Sequence, residues 1–117
     1  MQVFTIAEDL DLDWVSSAAA EAAEIDLNSS SNNKIPFLPN YDVVAVISVA
    51  SLIGTPDTAP NVILQGREES TDSWTDLFTN TEFGTKFKQI TLKRYLRVKT
   101  DEVTLSDGFA QVYLLGN

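Results

Sequence analysis

The residues best suited to chemistry in this sequence are carboxylates in two local groupings. Asp9, Asp11 and Asp13 alternate as the opening ligands of a calcium loop do. The rest of such a loop does not follow. Its sixth position is Trp14, where the sharp turn needs Gly, and its twelfth is Ala20, where a bidentate Glu belongs. The second grouping is Glu68, Glu69, Asp72 and Asp76, the kind of carboxylate set that glycosidases use in pairs. In a chain of net charge −9 neighbouring carboxylates are expected, and sequence does not set their separation. Asn28-Ser29-Ser30 matches a glycosylation sequon, which has meaning only in a secreted chain. The simpler reading of all three is a solvated acidic surface.

Missing residue types narrow the chemistry further. The chain has no Cys, which excludes disulfides, thiolate nucleophiles and thiolate metal sites. It also has no His, the usual general base near neutral pH and the commonest metal ligand. No local pattern supplies a Ser nucleophile with a Lys or carboxylate partner. The expectation is therefore a protein that performs no covalent chemistry, with no catalytic residue, metal or cofactor. No apolar run approaches the roughly 20 residues of a membrane span. The acidic start Met-Gln-Val-Phe-Thr-Ile-Ala-Glu-Asp has no basic n-region, which argues against a signal peptide.

Charge is distributed unevenly. Residues 1–33 hold seven acids (Glu8, Asp9, Asp11, Asp13, Glu21, Glu24, Asp26) and no base. Residues 84–99 reverse this with Lys86, Lys88, Lys93, Arg94, Arg97 and Lys99 and no acid. The overall balance repels nucleic acid. The basic stretch suits an acidic partner, such as the acidic segment of a neighbouring copy, or else forms a solvated strand face.

The elements that position these groups read as one domain of 117 residues, with 44% apolar and 21% charged residues, the balance of a folded protein. Residues 1–24 read as an N-terminal arm or first strand, and residues 25–117 as a β-sandwich. Ser16–Glu24 is ambiguous, because Ala and Glu favour helix while no large apolar residue lies between Val15 and Ile25 to grip a core. An extended strand through Ile25 and Leu27 is preferred. Tyr41–Ala50, Val-rich and apolar on both faces, predicts a central strand covered on both sides, by a second sheet or a partner subunit. Asn61–Gly66 is a second strand, and Arg67–Ser73 a polar connection to Trp74, Leu77 and Phe78. Trp74 is expected in the core. Lys86–Leu92, Tyr95–Thr100 and Phe109–Leu115 alternate as strands, with Leu96 and Val98 opposing Tyr95, Arg97 and Lys99. Short strands separated by turn signals predict an all-β antiparallel sandwich or jelly roll with an extended N-terminal arm. In that arm Trp14, with Phe4, Leu10 and Leu12, is a plausible anchor on a neighbour. Lys86, Lys88, Arg94 and Arg97 complete the interface expected from sequence.

The run Val62-Ile63-Leu64-Gln65-Gly66-Arg67-Glu68-Glu69-Ser70-Thr71-Asp72-Ser73-Trp74-Thr75-Asp76-Leu77, followed by Lys93-Arg94-Tyr95-Leu96-Arg97-Val98, resembles a Trp hairpin and Arg-Tyr-Leu-Arg strand. Discoidin-like jelly rolls and small phage virion proteins share this pair. Glu68-Glu69 and Thr71-Asp72-Ser73 replace the Ser and Asp-Gly turn of that pattern, so the hairpin tip should differ. The order of segments along the chain is similar to the jelly-roll cement (decoration) proteins of tailed phages, including cyanophages. That resemblance implies a homotrimer on the capsid exterior of the virion, made in the host cytoplasm and bridging major capsid proteins. It implies neither nucleic-acid nor membrane partners. The alternatives are a carbohydrate-binding, discoidin-like module, with Tyr41, Trp74 or Tyr113 at a concave site, or another virion part such as a tail or head-fibre protein.

Overall fold

The computed structural model describes residues 2–11, 24–29, 35, 37–51, 61–100 and 108–116. Among them are eight strands and no helix: β1 (Gln2–Asp11), β2 (Ile25–Asp26), β3 (Asp42–Ser51), β4 (Val62–Arg67), β5 (Thr75–Asn80), β6 (Gly84–Thr91), β7 (Tyr95–Thr100) and β8 (Gly108–Gly116). Sheet A has the order β1-β8-β3-β6 and sheet B the order β2-β7-β4-β5. The antiparallel pairs β1–β8, β2–β7, β3–β6 and β4–β5 are nested, as in one long hairpin rolled on itself. β3–β8 and β4–β7 pairing then closes each sheet. This is jelly-roll topology, and the antiparallel sandwich expected from sequence is what the chain forms.

Alternation explains which side chains fill the space between the sheets. On β3, Val43, Ala45, Ile47 and Val49 face inward and are buried. On β8 the inward set is Ala110, Val112 and Leu114, and on β7 it is Leu96, Val98 and Thr100. β4 adds Val62 and Leu64, and Ile35, Phe37 and Leu92 close the core. Phe37 lies so close to Gly116 that a Cβ there would sit 2.5 Å from its ring. Asn40, at φ 68°, takes the left-handed conformation that Asn tolerates and turns the chain into β3.

The structure bears on three expectations. Of the two readings of residues 1–24, arm or first strand, Gln2–Asp11 takes the second, as an edge strand of sheet A paired with β8. β3 is interior to its sheet as expected, yet sheet B covers only one of its faces; outward Val44, Val46, Ser48 and Ala50 are half-buried. Trp74 is not in the core. It sits half-buried on the outer side of sheet B, because β4 and β7 aim their arginines to that side and the ring follows the cations.

Candidate interaction surfaces

Two surfaces carry the distinctive residues. The first is the outer face of sheet B. Register places Gln65 opposite Arg97 and Arg67 opposite Tyr95, on the face away from buried Leu64, Leu96 and Val98. The Arg67 and Arg97 guanidinium carbons lie 4.2 and 4.4 Å from the Trp74 ring centroid. Arg67 and Arg94 also lie 5.6 and 4.9 Å from the Tyr95 ring. At these distances each cation is attracted by the ring quadrupole.

Hydrogen bonds fix this stack from its edges. Arg97 Nε donates to Gln65 Oε1 at 2.8 Å, and Gln65 Nε2 donates to Asp76 Oδ1 at 2.7 Å. Arg67 donates to Glu24 Oε1 at 3.2 Å and to the Asp72 carbonyl at 3.3 Å. Arg94 makes two bonds to the Asp26 carboxylate, at 3.0 and 3.2 Å. That bidentate contact holds the Asp26 carboxyl below its ordinary value and raises the Arg94 guanidinium. Lys93 pairs with Glu68 at 3.4 Å. The hairpin tip is closed by Asp72, whose carboxylate accepts from Glu69 N–H at 3.1 Å while its own N–H donates to the Glu69 carbonyl.

Of the four carboxylates Glu68, Glu69, Asp72 and Asp76, Glu68 pairs with Lys93, Asp72 closes the hairpin tip and Asp76 accepts from Gln65 across the β4–β5 hairpin. Arg94 and Arg97, expected at an interface, lie in this network on the outer face of sheet B, bonded to Asp26 and Gln65. Trp74→Ala should remove both ring contacts and lower stability by about 1–3 kcal/mol. The urea midpoint measures this. An unchanged midpoint would show that the guanidiniums gain nothing from the ring.

The second surface is sheet A at β6. Residues 84–89 of this edge strand are all exposed, and Phe87 is 75% exposed. Phe87 stands opposite Val46, itself opposite Tyr113, so the three share the outer face. Val44 and Leu115 extend this apolar row, with Gln89 beside Val44. Lys86 and Lys88 take the alternate positions, and both are exposed because the end of β6 is not capped by sheet B. Lys86 pairs with Glu82 at 3.4 Å, both side chains more than half exposed. A shallow depression next to this row is lined by Tyr41, Asp42, Gln89 and Leu115.

Of the other residues expected at an interface, Phe4 and Leu10 lie on β1, in register with Leu114 and Ala110. Leu12 and Trp14 lie outside the described residues, as does Asp13 of the alternating acids. Sequence reasoning missed Phe87. An aromatic between two lysines reads as the buried face of a half-buried strand, but pairing with β3 puts Phe87 on the outer face, opposite Val46, and the lysines on the side of buried Ala45 and Ile47. Arg67 was also missed, since its partner Glu24 is 43 residues away.

No family model matches the chain, and searches of curated proteins and of solved structures find no match.

Proposed function

We propose that this chain is a binding module of the virion, a capsid cement protein that docks on the outside of an assembled shell and bridges its major capsid subunits. The observation that carries the reading is the exposed β6 stretch, an aromatic flanked by two lysines on the rim of a jelly roll. On the outer face of sheet B the arginines and carboxylates instead neutralise one another around Trp74. Interfaces favour aromatic anchors with few charges at their centre, and the Phe87–Val46–Tyr113 row has that composition. The Trp hairpin against the Arg-Tyr-Leu-Arg strand agrees with the resemblance to decoration proteins.

Such a protein acts by mass action. A ligand that binds only the assembled shell stabilises it by RT ln(1 + [L]/Kd), about 2.7 kcal/mol at a hundredfold excess over Kd. Several linked contacts add avidity. The test is to add purified chain to shells that lack it, sediment them, and record their disruption temperature. Co-sedimentation with a raised temperature is expected, and Phe87→Asp should weaken it at least tenfold. Chain left wholly in the supernatant at saturating concentration would reject the proposal.

A carbohydrate-binding reading is favoured by one observation: Tyr41 is 43% exposed beside Asp42 and Gln89, an aromatic with hydrogen-bonding groups. Trp74, with two guanidiniums against its ring, is a poorer sugar platform. Retention on a glycan array that is lost in Tyr41→Ala would favour this reading over shell binding.

A further inference from the structure

The two edges of sheet A carry opposite charge. β1 contains Glu8, Asp9 and Asp11 and no base, whereas β6 contains Lys86 and Lys88 and no acid. Each edge is a row of backbone N–H and C=O groups that another strand can satisfy. Every neighbouring pair in the sheet is antiparallel, so three reversals separate β1 from β6 and the two run in opposite directions. A second copy that continues the sheet therefore brings its β1 antiparallel to the β6 of the first.

Charge selects among the possible edge pairings. Lysines at an edge oppose β6–β6 association, and the acids of β1 oppose β1–β1 association in the same way. Between the edges of sheet A, only β1 against β6 joins unlike charges. The chain carries −9 overall, so copies otherwise repel, and a basic edge is the feature that offsets this repulsion locally. Phe87, 75% exposed on the receiving edge, gains cover from the arriving strand.

We propose that copies of this chain associate head to tail, β1 of one adding to β6 of the next. Two register shifts in β1, between Thr5 and Ala7 and between Ala7 and Leu10, keep the regular ladder short. Charge therefore carries much of the contact, and its strength falls with salt. A head-to-tail contact closes into a ring where the rotation permits and runs on as a filament where it does not. The trimer implied by the resemblance is one such closure. The contact does not rest on shell binding: its failure leaves a monomer docking on a shell as a standing possibility.

Sedimentation velocity of the full chain tests it, at ionic strengths on the order of 0.01 M and 1 M, where the Debye length is about 30 and 3 Å. Wild type should assemble at low salt and dissociate at high salt. K86E/K88E, acidic at both edges, should be monomeric, and so should E8K/D9K/D11K, basic at both. An equimolar mixture of the two should assemble, since each supplies the edge the other needs. Circular dichroism checks folding, and K86Q/K88Q, with at least a tenfold weaker association, serves if the reversed variant unfolds. A monomeric wild type at low salt, or undiminished assembly of K86E/K88E, would overturn the proposal. Assembly lost in Val46→Glu but kept in K86E/K88E would place the contact on the outer sheet face and equally overturn it.

Discussion

Replacing Asn80 by Asp should cost about 3 kcal/mol or more at neutral pH, a large share of a domain's stability. Asn80 is 1% exposed at the end of β5 in sheet B. Its Nδ2 donates to the Ile47 carbonyl on β3 at 3.0 Å and to the Gly84 carbonyl at 3.1 Å. Its Oδ1 accepts the Glu82 N–H at 2.9 Å. One amide thus pins sheet B to sheet A and shapes the turn that launches β6, where Gly84 sits at φ 102°. A carboxylate keeps the acceptor and loses both donors, so a buried negative oxygen would face two carbonyl oxygens.

The penalty should depend on pH in a definite direction. Burial and the facing carbonyls disfavour the anion, so the new carboxyl has a higher pKa folded than unfolded. The folded state then holds more protons than the unfolded state, and stability rises as pH falls. The full penalty applies above the raised folded value and shrinks as pH drops toward the unfolded value of about 3.9. Thermal melts of Asn80→Asp between pH 7 and pH 4 should show the midpoint gap to wild type narrowing on acidification. A variant that melts with wild type at pH 7 would show that the pin is dispensable.

Asn80 also illustrates what local sequence conveys. The inward alternation of β7 was legible because buried aliphatics oppose polar or aromatic residues at every second position, and the short Val-rich runs forecast the sandwich; β3, apolar on both faces, did not show which face turns inward. The polar network was not legible. Arg94 meets Asp26 across 68 residues and Arg67 meets Glu24 across 43, distances over which no periodicity carries information. Trp74 misled for a related reason. An aromatic beside Leu77 and Phe78 suggests core, but the β4–β5 bulge between Leu64 and Gln65 and the arginines of β4 and β7 decide its side. For β6, alternation told which residues share a face and not that neither face of residues 84–89 is covered.

The same distinction separates residues that hold the fold from residues free to bind. Leu64→Ala should lower stability by about 2–5 kcal/mol, since Leu64 is fully buried on interior strand β4, in register with Val98 and Phe78. At about 4 °C per kcal/mol for a domain of this size, the melting midpoint should fall by about 8–20 °C. Phe87→Ala removes a larger side chain from a position 75% exposed, and dilute protein in high salt should change by less than about 0.5 kcal/mol. At low salt and high concentration, wild type gains stability from association by mass action and Phe87→Ala loses part of that gain. The midpoint of wild type should thus rise with concentration while that of Phe87→Ala rises less. Equal losses from the two variants in dilute, high-salt solution would mean that Phe87 is covered by its own chain, and the β6 edge would no longer be open to a partner.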